Sequence, residues 1–171
     1  MDASPRWLDE REARAWRGYT RMRAQVQSRV ARGLMASSGL SDADYAVLVN
    51  LSEAPGGRLR AYELGEAVQW EKSRLSHQLT RMTKRGLVAR EECETDARGS
   101  FVVITDQGRS SIEAAAPAHV EDVRRFLIDA LSPDQLDALG DITETVLAHL
   151  EGSPSAVCDE DAGPSRPLGA L

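Results

Sequence analysis

Residues 70–104, WEKSRLSHQLTRMTKRGLVAREECETDARGSFVVI, constrain the fold more than any other stretch of the chain. From about Glu71 to Arg85, the apolar residues Leu75, Leu79 and Met82 recur at i, i+4 and i+7, the spacing of one helix face. Arg74, His77, Gln78, Arg81 and Arg85 are expected on the opposite face, and Gly86 stops the helix as glycine does just past a C-terminus. Directly behind it, Leu87 to Glu92 and Phe101 to Ile104 read as two strands rich in branched apolar residues, joined by the polar tip Cys93 to Ser100. A helix with a polar, basic face followed at once by a hairpin leaves few architectures open.

The residues upstream complete one of them. Pro55-Gly56-Gly57 is a turn, Arg58-Leu59-Arg60 a very short strand, and about Ala61 to Val68 a short helix, with Gln69-Trp70 as the tight connection to the next. Two helices joined so closely form a helix-turn-helix, and the hairpin behind them forms a wing. Before this lobe, about Trp7 to Leu34 reads as a long first helix from Trp16, Tyr19, Met22/Arg23, Val26 and Val30. Ser41-Asp42-Ala43-Asp44 opens a second, more buried helix with an N-cap serine and an acid three residues on. After the lobe, Thr105-Asp106-Gln107-Gly108 leads into a helix whose apolar series runs Ile112, Ala116, Val120, Val123, Leu127 and Leu131, with a bend at Pro117. Ser132-Pro133-Asp134-Gln135 starts a last helix running to about Leu150. The expected fold is therefore mainly α with a small β-hairpin. A single domain over 1–151 holds a winged lobe at about 41–104 and a helical region at about 7–34 and 105–150. Residues 152–171, rich in Gly, Ser, Pro and acid, are expected to form a disordered acidic tail.

A length of 171 residues with 42% hydrophobic content suffices for one core. No stretch approaches the roughly 18 apolar residues of a membrane span, and the N-terminal MDASPRWLDEREARAWR lacks a signal-peptide core, so a cytoplasmic location with no membrane partner is expected. Cys93 and Cys158 lie far apart without partners at metal-ligand spacing, and His77, His119 and His149 fall on different segments. No metal or other cofactor is expected. Ser76-His77 does not make a hydrolase, because adjacent helix residues point about 100° apart and no strained nucleophile turn accompanies them. Pro55-Gly56-Gly57 is too short to cradle a phosphate, so no catalytic residues are assigned.

A formal net charge of −6 argues against a nucleic-acid partner until its distribution is considered. Between Arg58 and Arg90 the cations Arg58, Arg60, Lys72, Arg74, Arg81, Lys84, Arg85 and Arg90 face only Glu63, Glu66 and Glu71, a local excess of +5. Arg can bridge guanine O6 and N7, Gln and Ser can bond base edges, and His can donate to base or phosphate. Ser73, Arg74, Ser76, His77, Gln78 and Arg81 form the expected reading set. At the wing tip, Arg98 suits a narrow minor groove, with Asp96 two residues away to hold its guanidinium. The competing reading is a winged helix used for protein assembly without DNA, which predicts apolar residues on the exposed face of the 71–85 helix.

The start of the second helix at Leu40-Ser41, the run WEKSRLSHQLTRMTKRGLVAR, the wing signature Asp96-Ala97-Arg98-Gly99 and Ile104-Thr105-Asp106-Gln107-Gly108 together resemble the MarR family of bacterial transcriptional regulators over about Trp7 to Leu150. The resemblance implies a homodimer, with the first and the last two helices as dimerisation region and each winged lobe on one half-site of double-stranded DNA. It carries DNA contacts onto Ser73, Arg74, Ser76, His77 and Arg81 in the helix and onto Asp96 and Arg98 in the wing. Many members bind aromatic ligands that loosen DNA binding, and Trp16, Tyr19, Arg23 and Tyr45 fall where such an effector would be lined. Peroxide-sensing members use a cysteine in the first helix, and none occurs here.

Overall fold

The computed structural model describes residues 5–92 and 100–152. The wing tip with Cys93, Asp96 and Arg98, and the expected tail beyond Gly152 with Cys158, lie outside the described residues. In chain order the elements are α1 (Glu10–Ser38), α2 (Asp42–Glu53), a 3-10 turn (Pro55–Gly57), β1 (Arg58–Arg60), α3 (Ala61–Val68), α4 (Lys72–Lys84), β2 (Val88–Glu92), β3 (Ser100–Ile104), α5 (Asp106–Phe126), a second 3-10 turn (Ile128–Ala130) and α6 (Pro133–Gly152). The chain divides after Ala130 into two compact units.

Local signals set most of these boundaries. The first helix begins three residues later than its apolar pattern predicts, because Asp9 and Glu12 form a reciprocal capping box that satisfies the otherwise unpaired amides at the helix start. It runs on through Ser37 and Ser38 because the left-handed Gly39, at φ 68°, is what ends it. Ser41 and Asp44 form the same box at α2, with the Asp44 amide donating to Ser41 Oγ at 3.1 Å. α5 stops at Phe126, short of the expected Leu131, where Arg124 and Asp129 pair at 2.8 Å across the following turn. Pro117 sits within α5. Ser132 and Gln135 cap α6 reciprocally, as their spacing predicts.

In the first unit, β1, β3 and β2 form an antiparallel sheet in that order, with Leu59 opposite Val102 and Val88 opposite Ile104. One core joins the sheet to the helices: Leu34 and Leu40, Val47, Leu48 and Leu51 of α2, Leu64 of α3, Leu75, Leu79 and Met82 of α4, Val88, Val102 and Ile104 of the sheet, and Ile112 and Ala115 of α5. α1 contributes only its C-terminal half, burying Val30 and Leu34, and packs closely on α5 where Gly33 faces Asp122. The second unit contains α6, which buries none of its residues.

The turn between α4 and β2 is locked by the start of α5. α4 ends in a Schellman motif, in which the Leu87 amide donates to the Met82 carbonyl at 3.0 Å and the Gly86 amide to that of Thr83 at 3.0 Å, with Gly86 at φ 71°. Thr105 Oγ1 donates to the Gly86 carbonyl at 2.6 Å and accepts from the Gly108 amide at 3.0 Å. Gly108 lies so close to β2 that a Cβ there would come within 2.0 Å of the Leu87 carbonyl oxygen. Backbone cannot yield as a flexible side chain can, so Gly108→Ala is expected to destabilise the fold by about 1–3 kcal/mol. By contrast Gly18, in the exposed half of α1, has nothing within 4 Å of where a Cβ would stand. Its change to Ala is expected to stabilise the chain by about 0.5–1 kcal/mol. Urea denaturation midpoints at unchanged slope check both signs.

Candidate nucleic-acid interface

Burial divides α4 into two faces. Leu75, Leu79 and Met82 are buried, as their spacing predicts, whereas Ser73, Arg74, Ser76, His77 and Arg81 are exposed. Gln78 is the correction: expected on the polar face, it is only 3% exposed. It lies three residues after Leu75 and next to Leu79, within the core-facing stripe, and a polar side chain is tolerated there because a buried carboxylate meets it. Gln78 Nε2 donates to Asp44 Oδ1 at 2.8 Å.

Asp44, 2% exposed, is the centre of a network that sequence reasoning misses. Its Oδ2 accepts from the Ser41 amide at 2.9 Å, from Ser41 Oγ at 2.7 Å and from Arg85 Nη1 at 2.7 Å. Arg85 also donates from Nη2 to the Gly39 carbonyl at 3.1 Å, while Arg81 Nη2 donates to Gln78 Oε1. The basic helix is thereby tied at two points to the α1–α2 corner. Arg85 is exposed, as its place on the helix predicts, while its guanidinium reaches back to that corner as a strut. The capping-box spacing Ser41 to Asp44 is legible in the sequence; the partners 34 and 41 residues further along are not.

Burial pushes the Asp44 carboxyl upward, but the hydrogen bonds from Ser41, the bond from Arg85 and the Arg85 charge together hold it below its ordinary 3.8. The folded chain therefore binds fewer protons at this site than the unfolded chain around that pH. The site's contribution to stability is complete above the unfolded value and is lost as pH falls through the lower, folded one. Asp44→Asn keeps the volume but sets an amide against the Ser41 amide and Arg85. Since Arg85 is half exposed and can turn to water, the expected cost is that of unsatisfied buried groups, about 1–3 kcal/mol at pH 7. Chemical denaturation from pH 7 to pH 3 should show the gap between wild type and Asp44→Asn closing below about pH 4; a constant gap would contradict this assignment.

Around the exposed face, other cations are arranged by aromatic rings. Arg74 holds its guanidinium carbon 4.4 Å from the Trp70 ring centroid, and Arg58 and Arg60 each lie 5.0 Å from that of Phe101. Arg58 also pairs with Glu91 at 3.6 Å. An open groove of about 670 Å³ runs between α3, the start of α4 and the base of the hairpin, lined in part by Arg60, Lys72 and Arg90 with Tyr62, Trp70 and Ser76. The β2–β3 register brings the hairpin ends together at Glu92 and Ser100, where the wing tip begins.

The four residues expected to line an effector fall into two groups. Trp16 and Tyr19 stack along α1 with ring centroids 6.0 Å apart, Arg23 lies 6.0 Å over Tyr19, and all three are exposed. Tyr45 packs instead against His119 of α5, with ring centroids 4.2 Å apart. Burial, and then the nearby Glu53 carboxylate, raise the Tyr45 hydroxyl above its ordinary range. None of the four lines the groove beside α4. Among the described residues, no three His, Cys, Asp or Glu side chains stand together as a metal site, and no helix is long and apolar enough to cross a membrane.

Known proteins share this geometry. The MarR family model matches residues 38–99, from the end of α1 to the wing. The transcriptional regulator HosA of Escherichia coli is 33% identical over 101 residues, covering 59% of this chain and 73% of its own. Two solved structures from Streptomyces coelicolor are similar over most of the chain. AbsC, a MarR family transcriptional regulator, is 41% identical with a TM-score of 0.81, covering 87% of this chain and 100% of its own. Sco3205, a MarR family transcriptional regulator crystallised in complex with DNA, is 38% identical with a TM-score of 0.83, covering 90% and 95%. With the winged helix-turn-helix, its basic exposed face and these matches together, the chain belongs to the MarR family of DNA-binding transcriptional regulators.

Proposed function

We propose that the chain acts as a homodimeric repressor that reads a pseudo-palindromic operator, one α4 entering each of two successive major grooves. The observation that carries this reading is the exposed polar and basic face of α4, anchored from behind by Asp44. An assembly module would expose apolar residues there, and Ser73, Arg74, Ser76, His77 and Arg81 stand there instead. These five are the proposed base-reading set. Gln78 moves from reader to support, since its amide is held by Asp44 and in turn holds Arg81. Asp96 and Arg98 of the wing complete the set at the flanking minor groove.

Two apolar surfaces support dimerisation. α6 exposes Ile142, Val146, Leu147 and Leu150, and the N-terminal half of α1 exposes Trp16, Tyr19 and Met22. Apolar stripes of this kind mark contact surfaces. A single helix reads too few bases alone, and two-fold symmetry supplies the second. On this reading about 7–34 and 105–150 form the dimerisation region, and binding over a promoter represses by excluding polymerase. A small aromatic effector would act from the side of α1, α2 and α5. Tyr45 stacks there on His119, whose buried Nδ1 has no hydrogen-bond partner among the described residues, and Trp16, Tyr19 and Arg23 offer a second aromatic and cationic surface.

Fluorescence anisotropy against DNA from upstream of the protein's own gene, with random DNA as competitor at several salt concentrations, tests the function. Tight, salt-sensitive and competitor-resistant binding is expected. Arg98→Ala should weaken binding to all sequences and lower the salt slope by about 1, whereas Arg74→Ala and His77→Ala should narrow the gap between operator and random DNA. Equal losses on both DNAs in every variant would contradict the division between positioning and reading. Sedimentation at the same concentrations should give a dimer; a monomer that binds the full operator would overturn the symmetric arrangement.

A further inference from the structure

We propose that Trp70 is a positioning residue for sequence recognition, holding Arg74 in the orientation in which it meets a base. This rests on the reading of α4 as the helix that enters the major groove. Trp70 ends the tight turn between α3 and α4, where its amide donates to the Gly65 carbonyl at 3.0 Å and the preceding Gln69 is left-handed at φ 54°. Its ring is half buried and packs against the core, so it is a fixed platform. It occupies the position just before the N-cap of α4, with Leu75 at the fourth helical position, the spacing of a hydrophobic staple that sets the angle at which a chain enters a helix.

Arg74 lies one helical turn away, its guanidinium carbon 4.4 Å from that ring, the shortest of the cation–ring distances among the described residues. Arg74 is exposed and has no carboxylate partner among the described residues, so the ring is what restrains it. A guanidinium held through its flat face keeps its in-plane N–H donors for a bidentate contact, such as guanine O6 and N7. It also surrenders less rotational freedom on binding than a long side chain moving in water. Arg81, the other exposed arginine of the reading set, is restrained by Gln78. Each reading arginine therefore has its own support, one an aromatic ring and the other a buried amide.

The test uses the full chain, a duplex enriched from a randomised pool by the wild-type protein, and a scrambled duplex. Trp70→Leu is expected to lower the preference for the enriched duplex over the scrambled one by about two- to five-fold, the range of an exposed cation–π contact. The salt slope should stay unchanged, since no phosphate contact is lost. Trp70→Phe should retain part of the preference, because its weaker ring still accepts a cation. In an Arg74→Ala background, Trp70→Leu should cost no further preference. A thermal melt accompanies each variant, and where Trp70→Leu does not fold, Trp70→Phe and Trp70→Tyr alone decide by the same comparison in the two backgrounds. Loss of preference that persists without Arg74, or equal loss on both duplexes, overturns the assignment. Failure of the wild type to enrich any sequence would instead remove the reading of α4 itself, and this proposal with it.

Discussion

The buried carboxylate of Asp44 sets where α4 can lie. A thirteen-residue helix is marginal in water, so its direction comes from tertiary contacts. Leu75, Leu79 and Met82 supply the burial, but apolar contacts are non-directional and would tolerate small rotations about the helix axis. Asp44 removes that freedom, because one oxygen is bound by Gln78 in the middle of α4 and the other by Arg85 at its end, with Ser41 satisfying what remains. Such a network contributes modest net stability, since removing a carboxylate from water costs nearly as much as its partners return. What it supplies is a defined face, and a face that reads bases must be defined to within fractions of an ångström.

The C-terminal end of α4 is fixed by a second, steric device as well. Gly86 reverses the chain, Thr105 binds its carbonyl, and Gly108 allows α5 to approach the Leu87 carbonyl more closely than any other residue could. The Arg-Gly-Leu-Val and Thr-Asp-Gln-Gly segments are thus two halves of one joint. That joint places the hairpin directly after the helix and delivers Arg90 to the groove shared with Arg60 and Lys72. Positive charge collects on this lobe by geometry although the whole chain is acidic.

Much of this is legible from periodicity and caps. Leu75, Leu79 and Met82 identify the buried side of α4, Gly86 its end, and Ser132-Pro133-Asp134-Gln135 the start of α6, because each signal acts within a few residues. The departures share a cause. Polar residues ordinarily face water, which puts Gln78 outside on pattern alone, and only a partner from a different helix makes its burial acceptable. Arg85 stays exposed as the pattern suggests, and only the tip of its side chain reaches the same partner. Trp16, Tyr19, Arg23 and Tyr45 form one set along two helices by sequence, but Tyr45 meets His119, on a helix whose packing no local pattern specifies. Trp70 reads as a connector residue because nothing in its neighbourhood shows that Arg74 would lie over its ring.

Recognition, on this view, is a property of two supported arginines on one rigid helix, doubled by symmetry. Methylation interference addresses it most directly, since dimethyl sulfate modifies guanine N7 in the major groove, where those arginines would bond. Interference is expected at guanines in two symmetric clusters about 10 base pairs apart, lost at one guanine per half-site in Arg74→Ala. Interference confined to the minor groove, or unchanged by loss of Arg74, would contradict it.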